Sequence, residues 1–128
     1  MSLSSSSVSA VAAVSDMDRA RNFYEQKLGF TPRDDASEMQ VYYECGGGTG
    51  ILIYVSPTQA GSGTATLAFW SVDDLRDEMA HLESAGVEFE RYDEPGFKTD
   101  ESGVFDTGDE LVAWFKDPDG NTLGIGQG

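Results

Sequence analysis

The sequence predicts an α+β domain built from two copies of one strand–helix–strand unit. Three observations carry this. The run Val11-Ala12-Ala13-Val14-Ser15-Asp16-Met17 recurs in pattern, 58 residues later, as Phe69-Trp70-Ser71-Val72-Asp73-Asp74-Leu75. Each time an apolar run stops at acidic or hydroxyl residues and a helical pattern begins. The two helical patterns then end at Leu28-Gly29-Phe30 and Ala85-Gly86-Val87, glycines 57 residues apart. The cleft between two such units is a natural place for a small-molecule site.

Val8 to Val14 reads as the first strand. Ser15 and Asp16 offer side-chain oxygens to the free N–H groups of a helix, and Asp18 suits the positive end of its dipole. Met17, Ala20, Phe23, Tyr24 and Leu28 form its apolar stripe, with Gly29 where a left-handed C-terminal residue belongs. Phe30 to Arg33 reads as a short strand. Met39 to Cys45 and Ile51 to Val55 form a hairpin around Gly46-Gly47-Gly48-Thr49-Gly50. That glycine run is no phosphate loop, because a strand follows it and no Lys-Ser/Thr does. Ser56 to Thr64 is the linker. Ala65 to Val72 is the next strand, and Asp73 or Asp74 caps a helix that buries Leu75, Met79, Leu82 and Ala85. His81 falls off that stripe. Val87 to Phe89 is a short strand, and Arg91 to Asp109 is a long loop or irregular excursion. It serves either as a binding wall or as a solvated loop anchored by Phe97 and Phe105. Leu111 to Lys116 and Thr122 to Gln127 are the last strands, joined by the turn Asp117-Pro118-Asp119-Gly120-Asn121.

Length and composition set outer bounds. A chain of 128 residues makes one domain. Its units are expected as module one (8–55), a linker (56–64) and module two (65–128). Residues 1–7 are expected as a frayed tail or cloning remnant, with no basic region of the kind a signal peptide carries. A single cysteine, Cys45, allows no intrachain disulfide, and a cytoplasmic protein is the simple reading. A net charge of −15 argues against nucleic acid and against anionic membrane surfaces. It leaves solubility, adaptation to salt, or a cationic ligand.

Val14-Ser15-Asp16 with Arg19-Ala20 and Phe23-Tyr24, then Leu28-Gly29-Phe30, resembles the first module of the vicinal oxygen chelate superfamily. That group holds glyoxalase I, bleomycin-resistance proteins and extradiol dioxygenases. Val72-Asp73-Asp74-Leu75, Gly86-Val87 and Trp114 to Asn121 resemble its second module. The resemblance implies paired βαβββ modules whose strands curl into a cup with helices outside, and a homodimer. It also implies metal ligands at three positions countable from the motifs. One lies seven residues before Asp16, at Ser9; one seven before Asp74, at Leu67; one three after Asn121, at Gly124. The fourth falls near Leu52 or Tyr54. None is a strong ligand. One-residue slips bring in only Val8, Ala10, Thr66, Ala68, Leu123 and Ile125. No metal and no other cofactor is therefore expected.

If the ligand positions face the cup, strand alternation sends Val11 and Ala13 inward with Ser9. Phe69 and Ser71 go with Leu67, and Thr122 and Gly126 go with Gly124. The opposite set, Ala10, Ala12, Val14, Ala68, Trp70, Val72, Leu123 and Ile125, is apolar and suits a face under helices. Tyr54 and Trp114 are candidate walls, as are Tyr42, Tyr43 and Glu44, whose directions stay open. Cys45 reads as a small buried hydrophobe. The expected function is metal-independent binding of a small molecule, cationic in one version, in the cup or a dimer groove. The alternative is a lyase, isomerase or dioxygenase-like enzyme with atypical ligands or none, for which Glu44 or Glu110 would have to converge in the cup. A non-catalytic partner subunit is a third reading. No catalytic residue is named.

Overall fold

A computed structural model describes residues 3–128; Met1 and Ser2, the start of the expected tail, lie outside the described residues. Leu3–Ser5 makes a single 3₁₀ turn. Module one runs β1 (Ala10–Val14), α1 (Met17–Arg21), β2 (Gln40–Glu44) and β3 (Gly50–Val55). Its sheet order is β1-β3-β2, with β1 parallel and β2 antiparallel to β3. Module two runs β4 (Thr66–Ser71), α2 (Leu75–Ser84), the hairpin β5 (Asp93–Glu94) and β6 (Phe97–Lys98), then β7 (Phe105–Asp106), β8 (Leu111–Lys116) and β9 (Thr122–Gln127). Its order is β4-β9-β8-β7, with β4 parallel to β9. The two sheets therefore repeat one topology, and β1 packs beside β4.

Asp16 caps α1 by accepting the Arg19 N–H at 3.1 Å, and Asp74 caps α2 the same way from Asp77. After Arg21 the first helix widens into a π-helical segment over Asn22–Lys27, which rotates its last turn and carries Phe23 and Tyr24 inward. Gly29 and Gly86 follow the helices at φ +80° and +99°. The strands expected at 30–33 and 87–89 shrink to single bridges, Pro32 to Tyr43 and Phe89 to Phe115. Pro32 has no N–H to extend a ladder. The first strand starts at Ala10, so Ser9 lies just outside it.

The two modules share one core. Ala12, Val14, Leu123 and Ile125 are buried, and Ala10, Ala68, Trp70 and Val72 pack against them. Phe23 from module one meets Phe115 of module two at 6.3 Å, and Phe30 meets Trp70 at 5.7 Å. The turn after β8 is drawn into this junction. Asp117 accepts hydrogen bonds from the Tyr24 hydroxyl and the Asn121 amide, each at 2.8 Å, and from the N–H groups of Asp119 and Asn121. Asn121 in turn donates to the Ala13 carbonyl and accepts from the Gly61 N–H. Burial, with the Asp117 carboxylate beside it, pushes the Tyr24 phenol far above its ordinary range. One polar knot thus ties β1, the first helix, the linker and the last turn.

Candidate functional site: two open sheet faces

The sheet faces turned away from the shared core are open. On module one, Val11, Leu52 and Tyr42 stand in register across the three strands, with Ala13, Tyr54 and Gln40 in the next rung. Val11 is 47% exposed. A cavity of about 230 Å³ is lined here by Ser9, Val11, Arg33, Asp35, Gln40, Tyr42 and Leu52. The Arg33 guanidinium lies 4.2 Å from the Tyr42 ring centre, a cation–π contact. Tyr42 folds across Gly50, where a Cβ would overlap its ring, and its hydroxyl is 3.5 Å from the Ser9 hydroxyl.

On module two the face is aromatic. Phe69 pairs with Gly124 in register and lies across β9, 49% exposed. A Cβ on Gly124 would stand 3.1 Å from the Phe69 ring and 3.3 Å from the Trp114 indole. One on Gly126 would collide with the tip of the same ring. The two glycines make a trough that the Phe69 ring occupies, with the Trp114 indole also against Gly124. The excursion after α2 then folds back over Trp114. Tyr92, Phe97 and Phe105 bring their ring centres to 5.7, 5.3 and 6.3 Å from it. The Trp114 N–H donates to the Thr66 hydroxyl at 3.1 Å. All four rings of this cluster are half-buried, so each keeps an edge or face in solvent.

Asp100 holds the excursion in place. It accepts N–H groups from Ser102 and Val104, the Ser102 hydroxyl and, at 2.9 Å, the Arg76 guanidinium of α2. The Val104 N–H, then Arg76 and Ser102, hold its carboxyl well below the usual carboxylate range. The stability this adds is fully present above the unfolded carboxylate's pKa of about 4 and is lost as pH falls further. Asp100→Asn should therefore be less stable than the parent at pH 7, by a margin that shrinks toward pH 2. Urea unfolding at the two pH values checks this.

The sequence-derived positions fall as follows. Ser9 and Val11 line the module-one cavity, and Tyr54 stands in the rung beside it. Phe69 and Trp114 both lie against Gly124 on module two. Ser71 is exposed, opposite Gly126. Thr122 is 4% exposed and offers nothing to solvent. Leu67 is displaced: the register shifts between Thr66 and Ala68, and Leu67 packs against the core while Thr66 reaches Trp114. A β-bulge inserts one residue and reverses alternation, which pattern alone does not register. Glu44 is exposed and 3.8 Å from Arg33, and Glu110 is exposed in the turn before β8. Tyr92, Arg33 and Thr66 were not singled out from sequence as wall residues. The signal for the first was three aromatics, at 92, 97 and 105, in an otherwise polar stretch.

The superfamily resemblance implies a metal centre, and the residues present do not fit one. Ser9 is a neutral hydroxyl beside another, Leu67 is turned into the core, and the space beyond Gly124 is filled by two rings. Among the described residues no three His, Cys, Asp or Glu side chains gather to hold an ion. Among them, too, no helix is long and apolar enough to cross a membrane.

Comparison with known proteins agrees with the geometry at the level of fold. An antibiotic-binding protein, TnmS3, from Streptomyces sp. CB03234 is 23% identical, with a TM-score of 0.64 over 96% of this chain and 97% of that one. A glyoxalase/bleomycin resistance protein from Catenulispora acidiphila is 22% identical, with a TM-score of 0.70 over 97% and 99% of the two chains. The fosfomycin resistance protein FosX from Listeria monocytogenes is 13% identical, with a TM-score of 0.70 over 97% and 93%. No curated protein matches the sequence. The family model for the Glyoxalase/Bleomycin resistance protein/Dioxygenase superfamily matches residues 7–125, and the chain belongs to that superfamily.

Proposed function

We propose that this protein binds a small molecule, without metal, against the aromatic face of module two. The observation that carries the reading is the trough of Gly124 and Gly126 bearing Phe69 and Trp114, walled by Tyr92, Phe97 and Phe105. Half-buried rings with free faces favour a ligand with a flat apolar body, and the Thr66 hydroxyl supplies a polar contact at its edge. A single face leaves such a ligand half in water. Pairing two chains about a two-fold axis, module one of one copy over module two of the other, would close the groove and cover Val11 and Phe69. The antibiotic-binding and resistance proteins that share the fold make a toxic natural product a reasonable ligand class.

The test is a titration of the purified protein with bleomycin and with polycyclic aromatic antibiotics, followed by calorimetry at low and high salt. Saturable binding to a dimer supports the reading. Affinity for a cationic drug should fall with salt, since the chain carries a net charge of −15. Ni²⁺, Zn²⁺, Mn²⁺ or Fe²⁺ should leave the melting temperature unchanged. A clear rise with any of them would put a metal enzyme in place of a binding protein.

A further inference from the structure

On the opposite, helix-covered side a second cavity of about 240 Å³ opens where the two modules meet, a volume that eight or so waters would fill. Its floor is Phe115 and Ile125, its walls are Leu28, Phe30, Trp70 and Leu82, and Glu78 stands at its edge. The walls come from both modules: Phe30 follows the first helix, and Trp70 lies on β4 with its ring centre 5.7 Å from that of Phe30. Along β4, Trp70 lines this cavity and Phe69 does not; Phe69 lies against Gly124 on the module-two face.

Glu78 is the only charged group lining this cavity. It lies one turn before Leu82 on α2, so both side chains share one helix face. It is half-buried, and none of the ion pairs among the described residues uses it. A carboxylate beside three aromatic rings is the chemistry that recognises an ammonium group on an apolar body, through charge and ring faces together. We propose that this inter-module cavity binds a small hydrophobic amine, its apolar body against Phe30, Trp70 and Phe115 and its ammonium on Glu78. The site is independent of the module-two face proposed above.

The chain has two tryptophans, Trp70 in the wall of this cavity and Trp114 on the module-two face. In a ¹H–¹⁵N spectrum of the wild-type protein each gives one indole N–H signal, assigned with Trp114→Phe. Phenethylamine is the probe, and 2-phenylethanol, of the same shape without charge, is its comparison. With amine at about 10 mM, enough to saturate a millimolar site, the Trp70 signal and the amides around Glu78 should move saturably. The alcohol should bind at least fivefold more weakly, and Glu78→Gln should weaken the amine at least fivefold while leaving the alcohol unchanged. No saturable movement at Trp70 overturns the proposal, as does equal affinity for amine and alcohol. Movement of Trp114 alone overturns it too and points to the module-two face, while failure of antibiotics at Trp114 leaves the Trp70 result standing.

Discussion

Replacing Asp117 by alanine should destabilise the protein by about 3–5 kcal/mol, close to the upper limit for one substitution. The carboxylate is 5% exposed and accepts four hydrogen bonds. Tyr24, one of the donors, is fully buried. Alanine leaves that hydroxyl and the Asn121 amide in the interior with lost partners, and each such group costs about 1–3 kcal/mol. Asp117→Asn keeps the shape and one acceptor oxygen but turns an NH₂ toward donors, so it should fall between parent and alanine. An exposed acid gives the contrast: Asp35→Ala should change stability by no more than about 0.5 kcal/mol. Urea midpoints of the four proteins decide the matter. An Asp117→Ala midpoint equal to that of Asp35→Ala would mean the polar knot contributes nothing.

Trp114→Ala should weaken ligand binding about 10- to 100-fold, or about 1.4–2.7 kcal/mol, as expected for a central aromatic anchor. The indole touches Phe97, Phe105 and Tyr92 and flanks the trough at Gly124, so its loss removes the contact surface and the support of the excursion together. Trp114→Phe keeps a ring but cannot donate to Thr66, and should cost less than about fivefold. Calorimetry with whichever antibiotic binds the parent measures both. Undiminished binding to Trp114→Ala would remove the module-two face from consideration.

The parts of this fold that were legible in the sequence are those set by local chemistry. Strands β8 and β9 fall where alternation and the Asp-Pro-Asp-Gly-Asn turn put them, because turn geometry fixes where pairing starts. Gly29 and Gly86 mark helix ends because only glycine takes that backbone conformation cheaply. The helix-facing set from Ala10 to Ile125 packs as alternation required. What escaped was decided by distant partners. The bulge at Leu67 answers to β9, and the π-helical turn answers to where Phe23 and Tyr24 must land. The excursion looked irregular because its order comes from rings meeting Trp114 and from Asp100 meeting Arg76. In the candidate site, Ser9 and Gly124 come from motif counts, and Phe69, Trp114 and Tyr42 from alternation and aromatic character, whereas Tyr92, Arg33 and Thr66 are placed by distant partners that no local pattern shows.

The shared core also bears on how such a chain could have arisen. Phe23 and Tyr24 of the first unit find their contacts on Phe115 and Asp117 of the second. Either half by itself would leave an apolar helix face and a bare sheet in water. A half-length ancestor with this topology could have folded only as a pair, each copy covering the other, before fusion joined them through the segment that now carries Gly61. The linker, with its Gly61 N–H bonded to Asn121, now holds the two units in that mutual cover.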